Sequence, residues 1–220
     1  MTRIVLVVAK APVAGRVKTR LTPAVTPHQA ADIAAAALLD TLATALSTPD
    51  SRVLVALHGD PTEGERASEL HAMLSRCEIF PQRGEDFPAR LAHAHADVAA
   101  RYPGAPVVQI GMDTPQVTAG LLTDAFAELA SFDAVLGPAV DGGWWCLGLN
   151  DPAAAGCLAT VTMSRGDTGS RTLGALRARG NRVGALPILS DVDNWADARA
   201  LAVSVPGSRF AAAVADVVAC

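Results

Sequence analysis

Several features that would announce a function at once are missing from this chain. Its four cysteines, Cys77, Cys146, Cys157 and Cys220, show no C-x-x-C spacing and no nearby histidine. Neither a zinc site nor a disulfide framework is therefore expected, and the thiols read as buried or half-buried in a reducing cytosol. No dense Lys/Arg run occurs and the net charge is −4. That balance argues against nucleic acid or an anionic membrane as a partner, because both need a basic patch. No stretch approaches the roughly 18 uninterrupted apolar residues of a membrane span. The apolar run at 4–8 is too short and too β-branched for a secretory signal, and Lys10 ends it. A cytoplasmic, unprocessed protein is the expectation.

Two nucleotide-binding signatures are also lacking. No G-x-G-x-x-G follows the first apolar run, which removes the dinucleotide fingerprint. A Walker loop needs glycine directly before Lys-Ser/Thr and again five residues earlier, where this chain has Val17 and Pro12.

What is present is an apolar chain with a regular pattern. At 220 residues, 50% hydrophobic and 18% charged, it fits one domain spanning 1–220, with no repeat or low-complexity linker. Ile4 to Val8 is a continuous β-branched run, the mark of a strand buried on both faces. Apolar positions from Ala30 to Ala45 recur at helical spacing, and Pro49 closes that segment. Strands are predicted at Arg52 to Leu57, Glu78 to Pro81, Pro106 to Ile110, Asp133 to Leu136, Trp144 to Leu149 and Arg182 to Leu186. Helices are predicted over 64–75, 87–101, Leu121 to Leu129 and 168–179. Such alternation implies a three-layer α/β/α sandwich with a mainly parallel, Rossmann-like sheet. Ligands bind such sheets beyond the carboxyl ends of the strands, which puts Ala9 to Arg20, His58 to Asp60 and Gly111 to Pro115 on one rim.

Four segments carry chemistry. The loop from Ala9 to Leu21 sets Lys10, Arg16, Lys18 and Arg20 within eleven residues, with Gly15 for backbone freedom and Pro12 for stiffness. Charged forks and backbone amides together suit a di- or triphosphate; a solvated loop with scattered charges is the bland reading. Gly111-Met112-Asp113-Thr114-Pro115 places a carboxylate at a strand end, where it suits a Mg²⁺ or Mn²⁺ that also contacts phosphate. By position alone, Asp113 serves equally well as a cap for the helix beginning near Thr118. Asp191-Val192-Asp193-Asn194-Trp195-Ala196-Asp197 begins like a calcium loop, but Trp195 and Ala196 exclude an EF-hand. Asp193 is the candidate second metal ligand, and Asp191 or Asn194 a candidate helix cap. In Asp141-Gly142-Gly143-Trp144-Trp145 the paired glycines mark close approach of backbone to a ligand, and the tryptophans point to opposite faces of a strand. One indole then faces substrate and the other the core, or both are simply packed aromatics. Of the five histidines, His93 and His95 diverge on a predicted helix and are expected at the surface, His58 is expected to be structural, and none is given a catalytic role.

The motifs A-K-x-P-x-x-G-x-x-K-T-R-L, G-x-D-T-P, D-G-G-W-W-x-L-G-L, M-S-x-x-x-T-G and D-V-D-x-x-x-D occur in this order. Together they resemble a bacterial nucleotide-diphospho-sugar transferase-like family with the glycosyltransferase-A fold, over about residues 3–201. Two of them also resemble the guanylyltransferase of coenzyme F420 biosynthesis and the sugar-acid cytidylyltransferases. The resemblance implies nucleotide and phosphate contacts from Ala9, Lys10, Gly15, Arg16, Lys18 and Arg20, and metal binding by Asp113 and Asp193. The chain departs from the pattern in two places: Asn194-Trp195 replaces the commoner Thr-Pro, and G-x-D-T-P holds one Asp where many glycosyltransferases carry D-x-D.

The expected function is a metal-dependent transferase of glycosyl or nucleotidyl groups. In the first reading a nucleotide diphosphate sugar gives up its sugar to a small-molecule acceptor. Lys18, Arg20 and Asp113 then serve the diphosphate and metal, Asp141 orients or deprotonates the acceptor, and Gly142, Gly143 and Trp144 contact substrate. In the second, a nucleoside triphosphate donates its nucleotide to a phosphorylated acceptor and pyrophosphate leaves. A non-catalytic nucleotide-binding protein is a third, lesser reading, and a homodimer is an open alternative.

Overall fold

The computed structural model describes residues 2–218. Its first strand, β1 (Arg3–Lys10), is buried from Ile4 to Ala9, as an unbroken apolar run requires. Helix α1 (Pro27–Ser47) starts at a capping box, with Thr26 and Gln29 side chains and backbones reciprocally bonded and proline in the first turn. There follow β2 (Ser51–His58), α2 (Ala67–Leu74), β3 (Glu78–Pro81), α3 (Phe87–Arg101), β4 (Val107–Ile110), α4 (Ala119–Glu128), β5 (Ala134–Pro138) and β6 (Trp144–Leu149). The chain ends with α5 (Thr168–Ala178), β7 (Val183–Ala185), α6 (Trp195–Ser204) and α7 (Arg209–Val218).

The strands form one seven-stranded sheet in the order β3-β2-β1-β4-β6-β5-β7. All run parallel except β6, which is antiparallel to both β4 and β5. Alternate residues of β1 feed two cores. Val5 and Val7 pack with Leu38, Leu42, Leu70 and Leu122 from α1, α2 and α4 on one face. Ile4 and Leu6 pack with Leu91 and Val98 of α3 and Leu176 of α5 on the other. This is the expected three-layer architecture. The antiparallel β6 has a consequence for the site: its first residue, Trp144, lies at the same rim as the carboxyl ends of β1 and β4.

Two of the packing elements are not foreshadowed by the sequence pattern. The 3-10 stretch Pro152–Thr160 covers the α3 face, and α7 docks on α1 through the fully buried Phe210. α1 is also the one described helix long and apolar enough to cross a bilayer, with mean hydropathy 1.4. Asp32, Asp40 and Thr41 interrupt its apolar run. Its apolar faces are covered by the sheet on one side and by α7 on the other. Cys77 is half-buried and Cys146 and Cys157 are buried, all free, while Cys220 lies outside the described residues.

Candidate active site

Three loops converge beyond the carboxyl ends of β1 and β4. In the first, Gly15 adopts φ +74° and Lys18 adopts the left-handed region at φ 46°, a conformation that is uncommon for a side-chain-bearing residue. The turn sends the Lys18 ammonium inward, to donate to Asp113 Oδ2 at 2.8 Å and to the Val192 carbonyl. The 190–193 segment is docked on the end of β4 by Val192 N–H donating to the Asp113 carbonyl (3.2 Å) and by the Gln116 amide donating to the Ser190 carbonyl. Arg20 reaches across to grip both carboxylate oxygens of Asp193 at 2.7 Å. The bond to Asp193 raises the Arg20 pKa further. Residues 95 and 173 positions apart in sequence are thus locked into paired contacts.

The capping alternatives resolve cleanly. Thr118 caps α4 with its own hydroxyl, and Asn194 caps α6 in a capping box with Asp197. Asp113 and Asp191 are therefore not used as caps. Asp191 is half-buried, and burial first, then the carboxylates of Asp141 and Asp113, push its pKa up.

Asp141 heads a tightly built turn. Its Oδ1 accepts from Gly143 N–H at 2.7 Å, and Gly142, at φ +87°, passes so close to Gly166 that a Cβ would lie 2.0 Å from the Gly166 carbonyl oxygen. Gly169 N–H donates to the Gly142 carbonyl at 2.8 Å. The D-G-G and M-S-x-x-x-T-G motifs are thus two halves of one backbone seam. The two tryptophans do face opposite ways: Trp145 is buried with its indole N–H on the Pro187 carbonyl, whereas half-buried Trp144 bonds Thr172 at 3.2 Å.

These loops frame a cavity of about 580 Å³. Of the residues named from sequence, Ala9, Lys10, Arg20, Asp113, Asp141, Gly143, Trp144 and Asp193 line it. Gly15, Arg16, Lys18 and Gly142 do not: Lys18 acts on the site from behind Asp113, and Arg16 lies at the surface 3.9 Å from Glu63. Among the lining residues not foreseen as site residues are Gln82, Arg90, Gln109, Arg165 and Asp191. Of these only Asp191 left a signal, the alternate spacing of acids in D-V-D.

One expectation is corrected outright. His95 is not at the surface but fully buried, donating from Nε2 to Gln109 Oε1 at 2.8 Å. The helix bearing it packs against the sheet, and its divergence from His93 turns it inward. Burial drives its pKa down to about 4, only partly opposed by the Gln109 bond, so the ring is neutral.

A divalent ion fits the donor set by chemistry. Asp113, Asp141 and Asp191 supply hard oxygens close enough for their charges to raise Asp191. Among the described residues no three His, Cys, Asp or Glu side chains are placed to hold an ion by themselves. An incomplete carboxylate set suits Mg²⁺ or Mn²⁺ shared with substrate phosphate, since such ions are commonly held by one or two carboxylates plus phosphate oxygens. Asp193, named from sequence as the second ligand, is instead occupied by Arg20.

Fold and site together define the class of α/β proteins that includes nucleotide-diphospho-sugar transferases and nucleotidyltransferases. The chain belongs to a family described as uncharacterized protein conserved in bacteria (DUF2064), whose pattern matches residues 41–165. It is similar throughout to a nucleotide-diphospho-sugar transferase from Desulfovibrio desulfuricans G20, at 25% identity and TM-score 0.85, covering 100% of this chain and 96% of that one. Mycobacterium tuberculosis H37Rv Rv0371c, solved in complex with manganese, shares the fold at 23% identity and TM-score 0.57, covering 92% and 100% of the two chains. So does CMP:2-keto-3-deoxy-manno-octonic acid synthetase complexed with CTP, at 11% identity and TM-score 0.55, covering 92% and 99%. No curated protein matches the chain by sequence.

Proposed function

We propose that the protein is a metal-assisted transferase acting on a nucleotide-activated substrate, and that it moves a glycosyl group from a nucleotide diphosphate sugar to a hydroxyl of a small-molecule acceptor. One observation carries this reading: Asp113, backed by Lys18, and Asp193, held by Arg20, line the same cavity that Asp141 and Asp191 enter. Asp113 and Asp191 would hold Mg²⁺ or Mn²⁺, with Asp193 joining them once Arg20 lets go. Such an ion, when bound, offsets charge on the leaving diphosphate. Arg20 exchanges a carboxylate for diphosphate oxygens of the same fork geometry. Lys18 holds Asp113 in place from behind. Asp141 stands exposed at the cavity wall, its orientation fixed by Gly143 N–H, where it accepts a hydrogen bond from the acceptor hydroxyl and serves as its base. Trp144 offers part of its indole to the sugar.

The Desulfovibrio relative supports glycosyl transfer, since it matches the whole chain and is described as a nucleotide-diphospho-sugar transferase. The CTP complex of the octonic acid synthetase, with the same fold, favours a second reading, nucleotidyl transfer with release of pyrophosphate. Incubating the pure protein with nucleoside triphosphates and with nucleotide sugars, Mg²⁺ or Mn²⁺ present, separates the two. Sugar release with no pyrophosphate is expected; pyrophosphate release without sugar hydrolysis overturns the first reading in favour of the second.

A further inference from the structure

The cations lining the cavity, Lys10, Arg20, Arg90 and Arg165, fall into two sets. Arg20 is matched by Asp193, and Lys18 behind it by Asp113. Lys10, Arg90 and Arg165 are not matched in this way, and of these Lys10 and Arg90 are the two whose charges act on His58. The Lys10 ammonium donates to the Arg16 carbonyl at 2.8 Å, and Arg90 Nε donates to the Gly84 carbonyl at 3.1 Å. Neither has a carboxylate partner among the described residues, and the carboxylates that line the cavity all come from other loops.

We propose that the cavity corner formed by Lys10, His58 and Arg90 is an oxyanion subsite, separate from the Asp113 end, that holds a phosphate or carboxylate group of the substrate. The placement is rigid. Lys10 and His58 end the neighbouring parallel strands β1 and β2 and are register partners. Gln82, just beyond β3, ties those two strands together by donating to the carbonyls of Ala9 and Ala56 at 2.8 and 2.9 Å. Arg90 enters from the first turn of α3, where Asp86 has already capped the helix end by accepting from Ala89 N–H. Asp60, two residues after His58, is turned away onto the amide and hydroxyl of Thr62. The His58 pKa is lowered by burial and then by Arg90 and Lys10, so the local field is positive. An oxyanion lodged there receives charge-assisted hydrogen bonds from both cations and favours a protonated, donating His58. The subsite does not depend on which group is transferred, because it needs neither donor nor metal.

The probe is inorganic phosphate, added to the full chain in EDTA without nucleotide, while the His58 ring is titrated by NMR and chloride at matched ionic strength serves as the control. Saturable raising of the His58 pKa is expected, with the ring of His71 on α2 unmoved. Lys10→Met, a change to an exposed side chain, and Arg90→Gln should each weaken phosphate at this ring by about tenfold, the loss of one charge-assisted hydrogen bond. Both variants are checked for unchanged melting. A His58 pKa that stays put at high phosphate, or one that moves equally in both variants, overturns the assignment. Adding UDP or GDP with Mn²⁺ then identifies the source. Displacement of phosphate from His58 assigns the corner to the nucleotide's own phosphates, whereas simultaneous binding assigns it to an acidic group on the acceptor or sugar.

Discussion

Lys18 and Arg20 each grip a carboxylate at one end of the cavity, while Lys10 and Arg90 at the other hold only backbone carbonyls. The difference matters because a paired cation gives up a partner before it can take a new one. In the proposed function the paired end therefore takes a polyanion with a divalent ion, which satisfies the carboxylates that are released. The open end can take a single anion at no such cost. The largest expected effect tests the paired end. Asp113→Ala removes the proposed metal oxygen and the partner of Lys18 together, and should lower turnover at least about 100-fold, as loss of one transition-state electrostatic group commonly does. Calorimetry should show Mn²⁺-dependent nucleotide binding abolished. If that binding survives, Asp113 holds no metal and the contrast between the two ends is wrong.

The next effect concerns the support beneath Asp141. Gly142→Ala would place a methyl 2.0 Å from the Gly166 carbonyl oxygen at φ +87°, where flexible side chains offer no relief because the obstacle is backbone. A loss of about 3 kcal/mol in unfolding free energy is expected, from strain at a special backbone conformation plus steric overlap. Denaturant melts measure it. Phosphate binding at His58 should be spared if the two ends are independent.

Much of this was legible in the sequence, and what was not has a physical reason. The unbroken run of β1, the helical period of α1 and the acid after β4 are local signals, and each lands where the pattern put it. The pairing of Lys18 with Asp113, rather than with a ligand, is a contact across 95 positions that no local period encodes. The lone antiparallel strand, β6, carries the same alternation as a parallel one, so its direction emerges only from pairing with β4 and β5. Gln82 and Arg90 sit on a connection and a helix start with ordinary sequence, and reach the site only because β3 lies beside β2. His95 was misplaced for a related reason: helical spacing tells that it diverges from His93, not which of the two faces the sheet.

His95 also offers a pH test beneath the cavity floor, since its partner Gln109 lines that floor. Its folded pKa of about 4 lies below the ordinary value of 6.5, so the unfolded chain binds the extra proton first. Stability is then full above pH 6.5 and is lost as pH falls toward 4. By pH 5 the cost should be about 2 kcal/mol. His95→Gln keeps a donor for Gln109 and does not titrate, so its stability should vary less with pH over that window. An identical pH slope in the variant would place the acid sensitivity elsewhere.

The smallest expected effect is the most informative about the paired end. The Arg20–Asp193 pair is well formed but open to solvent, with side chains 68% and 43% exposed. Exposed pairs typically contribute less than about 1 kcal/mol, because water screens the attraction and two long side chains are immobilised. A double-mutant cycle with Arg20→Lys and Asp193→Asn should therefore show a coupling below about 1 kcal/mol in thermal or urea unfolding. Turnover should fall much further in Arg20→Lys, since lysine replaces a planar fork with a point charge. A stability coupling above about 2 kcal/mol, with turnover untouched, would make the pair a structural clasp. In that case the end that looks poised to exchange carboxylate for phosphate does not open at all.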